Sequence, residues 1–192
     1  MGPATTTVSK RDAILDAALD LFSERTFANT PMPVLAERAG VGAGTIYRYF
    51  ASKDALVNAL FRRWKAEMTD VVSGDIPLGL APREEFSQWW RGLWTFATEN
   101  PAAFLFLETH HHAAYLDEAS HAVGGELTAR AVAYVRRGQR TGAIRAGRPE
   151  VLIALVLGAF TGLFKSATTH DLPLTRATLD ASENAVWSLL SP

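Results

Sequence analysis

No cysteine occurs among the 192 residues, which excludes a disulfide framework, a thiol nucleophile and a cysteine-based zinc site. A surplus of one charge is missing as well. With 19 Lys and Arg facing 20 Asp and Glu, any affinity for a polyanion has to depend on where single cations point. The longest apolar run, VLIALVLGAFTGLF at 151–164, falls short of the ~20 residues that cross a bilayer and reads as a buried helix. The opening MGPATTTVSKRD lacks the apolar core of a secretory signal, so residues 1–8 read as a short disordered arm and the chain as cytoplasmic, without a membrane partner. What is there is a composition 48% hydrophobic, on a chain long enough for one large or two small domains.

The cations are unevenly spread: through Lys65 there are nine Lys and Arg against six Asp and Glu, and beyond it ten against fourteen. Inside the positive end, TPMPVLAERAGVGAGTIYRYF at 30–50 reads as two short helices around a glycine corner. The first is expected over 31–39, with Thr30 as N-cap and Pro31 at the first helical position, where a missing N–H costs nothing. Gly40 stands where a helix ends in a left-handed residue, and Val41 plugs the corner. The second helix is expected over 44–50, with Ile46 and Phe50 one turn apart and inward, and Thr45, Tyr47 and Arg48 outward. Small residues at 42–44 keep its start thin, so its backbone amides can approach a phosphate. Ser9 to Asp12 has the form of a capping box before an apolar stripe of Ile14, Ala18, Leu21 and Phe22, and Ser52 caps a further helix. Such a unit can push one helix into the major groove of DNA.

Residues 9 to about 57 resemble the DNA-binding domain of the TetR family of bacterial transcriptional regulators, with AERAGVGAGTIYRYFASKDAL carrying the match. The AGV corner, the Gly-Thr-aromatic helix start, the Tyr-x-Tyr-Phe end and the Ser-Lys-Asp opening occur together. Gly42 departs from the family's usual capping serine. The resemblance implies an all-α fold of about nine helices: a three-helix helix-turn-helix domain over 9–52, then a ligand-binding and dimerisation domain over 53–192, with helix 53–72 joining them. It also implies a homodimer through the last two helices, a near-palindromic double-stranded DNA operator and a small-molecule effector, with no cofactor. Carried onto matching positions, Thr30, Thr45, Tyr47 and Lys53 become phosphate contacts, and Ala43, Gly44 and Arg48 the candidates for base edges. Repression relieved by the effector is the family's commoner mode.

Beyond the joining helix, Gly and Pro punctuate a loop at 73–82, and helical spacing predicts helices over 84–98, 102–116, 117–141 with an interruption near Gly124 and Gly125, 149–167 and 175–190. The helix at 149–167 is apolar on nearly every face and needs cover on all sides. Gly158 and Gly162, four apart, would permit close helix approach within the chain or across a dimer seam.

For the effector pocket the resemblance implies, Trp64, Trp89, Trp90, Trp94, Phe104, Tyr115 and Phe160 are the large candidate lining groups, with His111 and His112 as polar anchors. Sparse polar anchors favour a mostly apolar or aromatic ligand. The run at 110–112 does not make a metal site, because consecutive helical residues point about 100° apart and no third ligand is fixed beside Glu108 and His112. A hydrolase or metal enzyme working through Glu108 and these histidines is the rival reading, and it lacks a nucleophile motif, a phosphate loop and metal-ligand spacing. A helical dimer with a purely structural role is a third.

Overall fold

Local signals set most helix boundaries. A computed structural model describes residues 9–24, 27, 29–110, 114–169 and 172–192; the arm expected over 1–8 lies outside them. Among the described residues nine helices and no strand occur: α1 Lys10–Glu24, α2 Met32–Arg38, α3 Ala43–Tyr49, α4 Lys53–Ser73, α5 Pro82–Glu99, α6 Pro101–His110, α7 Glu118–Arg140, α8 Pro149–Thr169 and α9 Arg176–Leu190. They form two compact units, Met1–Ala66 with Asn100–Gly124, and Glu67–Glu99 with Gly125–Pro192.

In the first unit, the Ser9 hydroxyl donates to the Asp12 carboxylate at 2.6 Å and accepts the Asp12 amide at 3.1 Å, so the expected cap opens α1. Ile14, Leu15, Ala18, Leu21 and Phe22 then bury one face of α1, which packs on α2, α3 and α6. The start of α2 differs from the sequence reading. Pro31 is extended (φ -67, ψ 144) and is itself the N-cap, so the helix opens one residue late, and Thr30 just before it is buried. Gly40 has φ 63, and the amides of Gly40 and Val41 return to the carbonyls of Glu37 and Ala36 at 3.0 Å, closing α2 by the left-handed turn its glycine permits. The α3 helix starts at Ala43 with Gly42 as N-cap and no side-chain cap, and Phe50 ends it in extended backbone. Ser52 accepts the Ala55 amide at 3.0 Å and opens α4, whose Leu56, Val57, Leu60, Phe61 and Trp64 are buried.

A polar knot ties α4 to the start of α7. Buried Asn58 donates to the Tyr115 carbonyl at 2.8 Å and accepts from the Asp117 amide at 2.8 Å and the Ser120 hydroxyl at 2.7 Å. Asp117 caps α7 through the Ser120 amide at 2.8 Å and receives Arg62 at 2.8 and 2.9 Å. The Ser120 bonds, then Arg62, hold the Asp117 carboxyl down to about 2. Because Ala114 and Tyr115 form a turn, the helix expected to reach 116 is not continuous; α6 is Pro101–His110. The expected break at Gly124 and Gly125 is absent, and α7 runs straight through. Each interior glycine costs about 1 kcal/mol, and a Cβ at Gly124 would meet the Phe61 ring only at an ordinary contact distance of 3.7 Å.

In the second unit, Phe86, Trp90, Leu93, Phe96 and Ala97 bury one face of α5. Trp90 meets Phe160 of α8 edge to face at 5.2 Å, and Phe86 meets Trp187 of α9 at 5.4 Å. Buried Glu183 receives Arg83 at 2.6 Å and has Arg91 at 3.8 Å, locking α9 to α5. Gly92 faces the end of α4 so closely that an added Cβ would lie 2.7 Å from the Val72 Cα. The reading of 151–164 as a buried helix is corrected. Leu152, Phe160 and Phe164 of α8 are buried, but Val151, Leu155 and Leu157 are exposed at 51%, 53% and 39%. By length and composition Pro149–Ala167 could cross a membrane, and only 17% of its most apolar window is buried. One chain does not supply the cover this helix needs.

Candidate nucleic-acid interface and ligand cleft

The outer surface of α3 follows from how its inner surface is anchored. Ile46 and Phe50 are buried, so the residues between and before them are turned out: Ala43, Gly44, Tyr47, Arg48 and Tyr49 are exposed, and Thr45 is half-buried. Arg48 lies 5.4 Å over the Tyr49 ring, and Arg11 of α1 lies 5.5 Å over the Phe50 ring. Two small residues at the start of the helix and a cation with two phenols further on give a thin, protruding edge suited to a groove.

Two expected contacts sit differently. Thr30 has no exposed surface. The Lys53 ammonium donates to the Phe27 carbonyl and stands 4.4 Å from the centre of the Phe27 ring, with burial pulling its pKa down against the opposing pull of Asp54. Phe27 in turn stacks at 4.5 Å on Tyr115, whose hydroxyl meets His110 Nδ1, and Phe22 and Phe106 complete this aromatic cluster. Burial pushes His110 below its ordinary pKa, so it is neutral at pH 7 and belongs to the core.

The second unit carries an open-sided cleft of about 530 Å³ between α5, α7 and the loop that joins α4 to α5. On α7, Arg130, Ala133, Tyr134, Arg137 and Gly138 recur at helical spacing along one wall, with Thr141 just past its end, and Pro82, Glu85 and Trp89 form the α5 wall. Ser73 and residues 76–80 make the rim, with Leu78 fully exposed and Gly79 at φ 83 turning the loop. Arg137 donates to Glu85 at 2.6 Å, Arg130 to Ser73 at 3.0 Å and Glu126 at 2.6 Å, and Tyr134 to the Pro82 carbonyl at 2.8 Å. Burial raises the Tyr134 pKa well above its usual value, so its phenol stays a neutral donor.

Of the residues expected to line a ligand pocket, Trp89 lines this cleft. Trp64, Phe104 and Tyr115 lie in the other unit, while Trp90 and Phe160 fill the core against each other and Trp94 stands half-buried on α5, away from the cleft wall. Aromatic residues at helical spacing serve packing first, which is why most of these are core. His111 and His112 lie outside the described residues. Sequence reasoning missed the polar wall, although Arg130, Tyr134 and Arg137, four and three apart, were a legible signal of one α7 face.

The family model described as bacterial regulatory proteins, tetR family, matches residues 14–60, and the one described as tetracyclin repressor-like, C-terminal domain, matches 61–191. The chain belongs to the TetR family. An HTH-type transcriptional repressor of Mycobacterium tuberculosis is 37% identical over 71 residues, covering 37% of this chain and 38% of that protein. The HTH-type transcriptional repressor KstR of Rhodococcus jostii is 47% identical over 57 residues, 29% of this chain and 27% of that protein. The matching stretch thus spans well under half of these relatives. A crystal structure of a TetR family transcription regulator from Marinobacter aquaeolei VT8 superposes with a TM-score of 0.84 at 23% identity, covering 94% of this chain and 95% of that one, so the all-α fold of the family extends over nearly the whole chain. The relatives' names are those of transcription regulators rather than enzymes.

Proposed function

We propose that this TetR family protein is a cytoplasmic, dimeric transcriptional repressor that binds a near-palindromic operator in double-stranded DNA and is released from it by a small, mostly apolar effector. The observation that carries the reading is the exposed edge of α3, with Ala43, Gly44, Tyr47 and Arg48 outward while Ile46 and Phe50 anchor the helix to α1 and α2. Ala43, Gly44 and Arg48 reach base edges, and Thr45 and Tyr47 reach phosphates. Lys53 joins the phosphate contacts by exchanging the Phe27 carbonyl for a phosphate oxygen, whereas buried Thr30 contributes by packing.

The dimer forms through α8 and α9. Val151 and Leu155, one turn apart on α8, and Leu189 of the adjacent α9 are exposed and apolar, as a two-fold interface requires. Two α3 helices then enter successive major grooves about 34–36 Å apart or somewhat further. An effector bound in the second unit favours a position of α4 in which the two helices no longer match the grooves. A hundredfold loss of operator affinity needs about 2.7 kcal/mol of differential binding, which one pocket can supply.

Selection of binding sites from random DNA, followed by fluorescence anisotropy at two salt concentrations, tests this. A regulator recovers a two-fold-symmetric sequence, binds it far more tightly than random DNA and weakens as salt rises. Equal affinity for all sequences at both salts refutes it.

A further inference from the structure

We propose that the cleft between α5 and α7 binds a small amphipathic carboxylate, with its apolar body against Ile76, Leu80, Trp89 and Ala133 and its carboxylate between Arg130 and Arg137. This rests on reading the chain as an effector-responsive regulator, and it gives the effector a place and a chemical class.

The volume of about 530 Å³ is that of a small-molecule site. Arg130 and Arg137 are seven residues apart on α7, two turns or ~10 Å along one face, so two long side chains can converge on one anionic group between them. The wall's hydrogen-bonding capacity is lopsided. Glu85, its only carboxylate, is 14% exposed and held by Arg137. Tyr134 spends its proton on Pro82, and Thr141 donates to the Gly138 carbonyl at 3.0 Å. Arg137 engages Glu85 through Nη2, leaving Nε and Nη1 to donate, and Arg130, 42% exposed, keeps further guanidinium protons beyond those on Ser73 and Glu126. The Trp89 indole N–H is buried without an acceptor. A wall of cationic donors whose acceptors are already taken fits a ligand that brings acceptors. An ammonium compound would meet two guanidiniums, and a sugar would find apolar surface where its hydroxyls need partners. A carboxylate on an aromatic or alkyl body matches both the donors and the walls.

The same geometry supplies a route to α4. Ser73 is the last residue of α4, and its hydroxyl accepts from Arg130 while donating to the Thr69 carbonyl at 2.8 Å. A ligand carboxylate competes for Arg130 and loosens that tie at the end of the joining helix.

The test titrates the full-length protein with decanoate and 4-phenylbutanoate, and in parallel with decanamide and 4-phenylbutanamide, by calorimetry and tryptophan emission. At least one acid is expected to bind about tenfold or more tightly than its amide. The double variant Arg130→Gln, Arg137→Gln loses that preference. Ala133→Trp, which fills the cleft from an exposed helix position, abolishes binding of acid and amide while the circular dichroism spectrum is unchanged. The proposal is overturned by acids and amides binding alike, by no binding of any of the four, or by undiminished acid binding in Ala133→Trp. Site selection without any acid reads the regulator function separately: absence of sequence-selective DNA binding sinks that reading alone, and a selective DNA binder that ignores all four compounds sinks the cleft alone.

Discussion

Gly92→Ala and Gly125→Ala make the same chemical change in two helix interiors, and the structure gives them opposite signs. At Gly92 the added methyl would lie 2.7 Å from the Val72 Cα, 2.9 Å from the Val71 carbonyl oxygen and 3.0 Å from the Val72 carbonyl oxygen. All three neighbours are backbone, so no side-chain rotation relieves the clash, and α4 and α5 have to part by nearly 1 Å to restore a carbon–carbon contact of about 3.5–4.0 Å. Overpacking of this kind costs about 1–3 kcal/mol, while the gain from replacing a helical glycine is about 0.8–1.0 kcal/mol. The net effect is a loss of up to about 2 kcal/mol, a fall in Tm of up to about 8 °C for a chain of this size. At Gly125 nothing lies within 4 Å of the added methyl, so the propensity gain stands alone and Tm rises by about 2–4 °C. Thermal melts followed by circular dichroism at matched protein concentration read both. A Gly92→Ala protein as stable as Gly125→Ala would refute the close crossing of α4 and α5.

Further outcomes follow from the described contacts. Leu155→Glu, on the exposed face of α8, should leave helicity intact and convert the dimer to monomer by sedimentation velocity; an unchanged dimer removes α8 from the interface. Arg48→Ala should mainly redistribute base preference, whereas Lys53→Ala should weaken binding to specific and random DNA alike and flatten the salt slope by about one; equal effects of both substitutions on both DNAs contradict this division. His110 titrates below 6.5 in the folded protein because of burial, so the unfolded chain takes up its proton first on acidification. Its contribution to stability is therefore full above pH 6.5 and lost as pH falls from there through the depressed value, and urea midpoints of His110→Phe should decline less over that window than those of the parent protein.

The parts of the fold legible in the sequence are those decided by a few neighbouring atoms. Ser9, Ser52 and Thr175 cap helices because a hydroxyl reaches an amide two or three residues on, whatever the rest of the chain does. Gly40 ends α2 because its positive φ is open to it without strain. Other elements were misread. Thr30 fits a cap by type, but the extended Pro31 is itself the N-cap, and Thr30 just before it is buried. Gly124 and Gly125 look like a break, yet α7 is continuous through them, since two glycines weaken a 23-residue helix without ending it. The candidate interface on α3 could be read because burial of Ile46 and Phe50 fixes the rotation of a seven-residue helix. The aromatic lining of the cleft could not, because whether an aromatic residue lines a cavity or fills a core depends on which helix faces it. Trp89 and Trp90 are adjacent in sequence, and they divide between the two roles.

The joining helix gives the ligand and DNA readings a common mechanical element. Across 21 residues, ~30 Å at 1.5 Å per residue, α4 is continuous from Lys53 to Ser73. Near its start the Asn58 and Arg62 knot clamps it to the cap of α7, and at its end Ser73 receives Arg130 from the same α7. Of these two ties, the knot has its central amide buried and every partner hydrogen-bonded, whereas the end tie is a single bond from an exposed guanidinium. An exposed contact of this kind contributes about 0–1 kcal/mol, so it supplies only part of the 2.7 kcal/mol that a hundredfold change in operator affinity requires. A ligand that takes Arg130 from Ser73 frees the end of α4 while the buried knot at its start stays hydrogen-bonded. The knot is then where coupling should fail: Asn58→Leu leaves the Ser120 hydroxyl and the Asp117 amide without their partner, and should reduce the effector's influence on operator binding more than its affinity for the cleft. Anisotropy titrations of operator release, set beside calorimetry of the ligand alone, separate the two quantities, and an equal loss in both would refute this role for the knot.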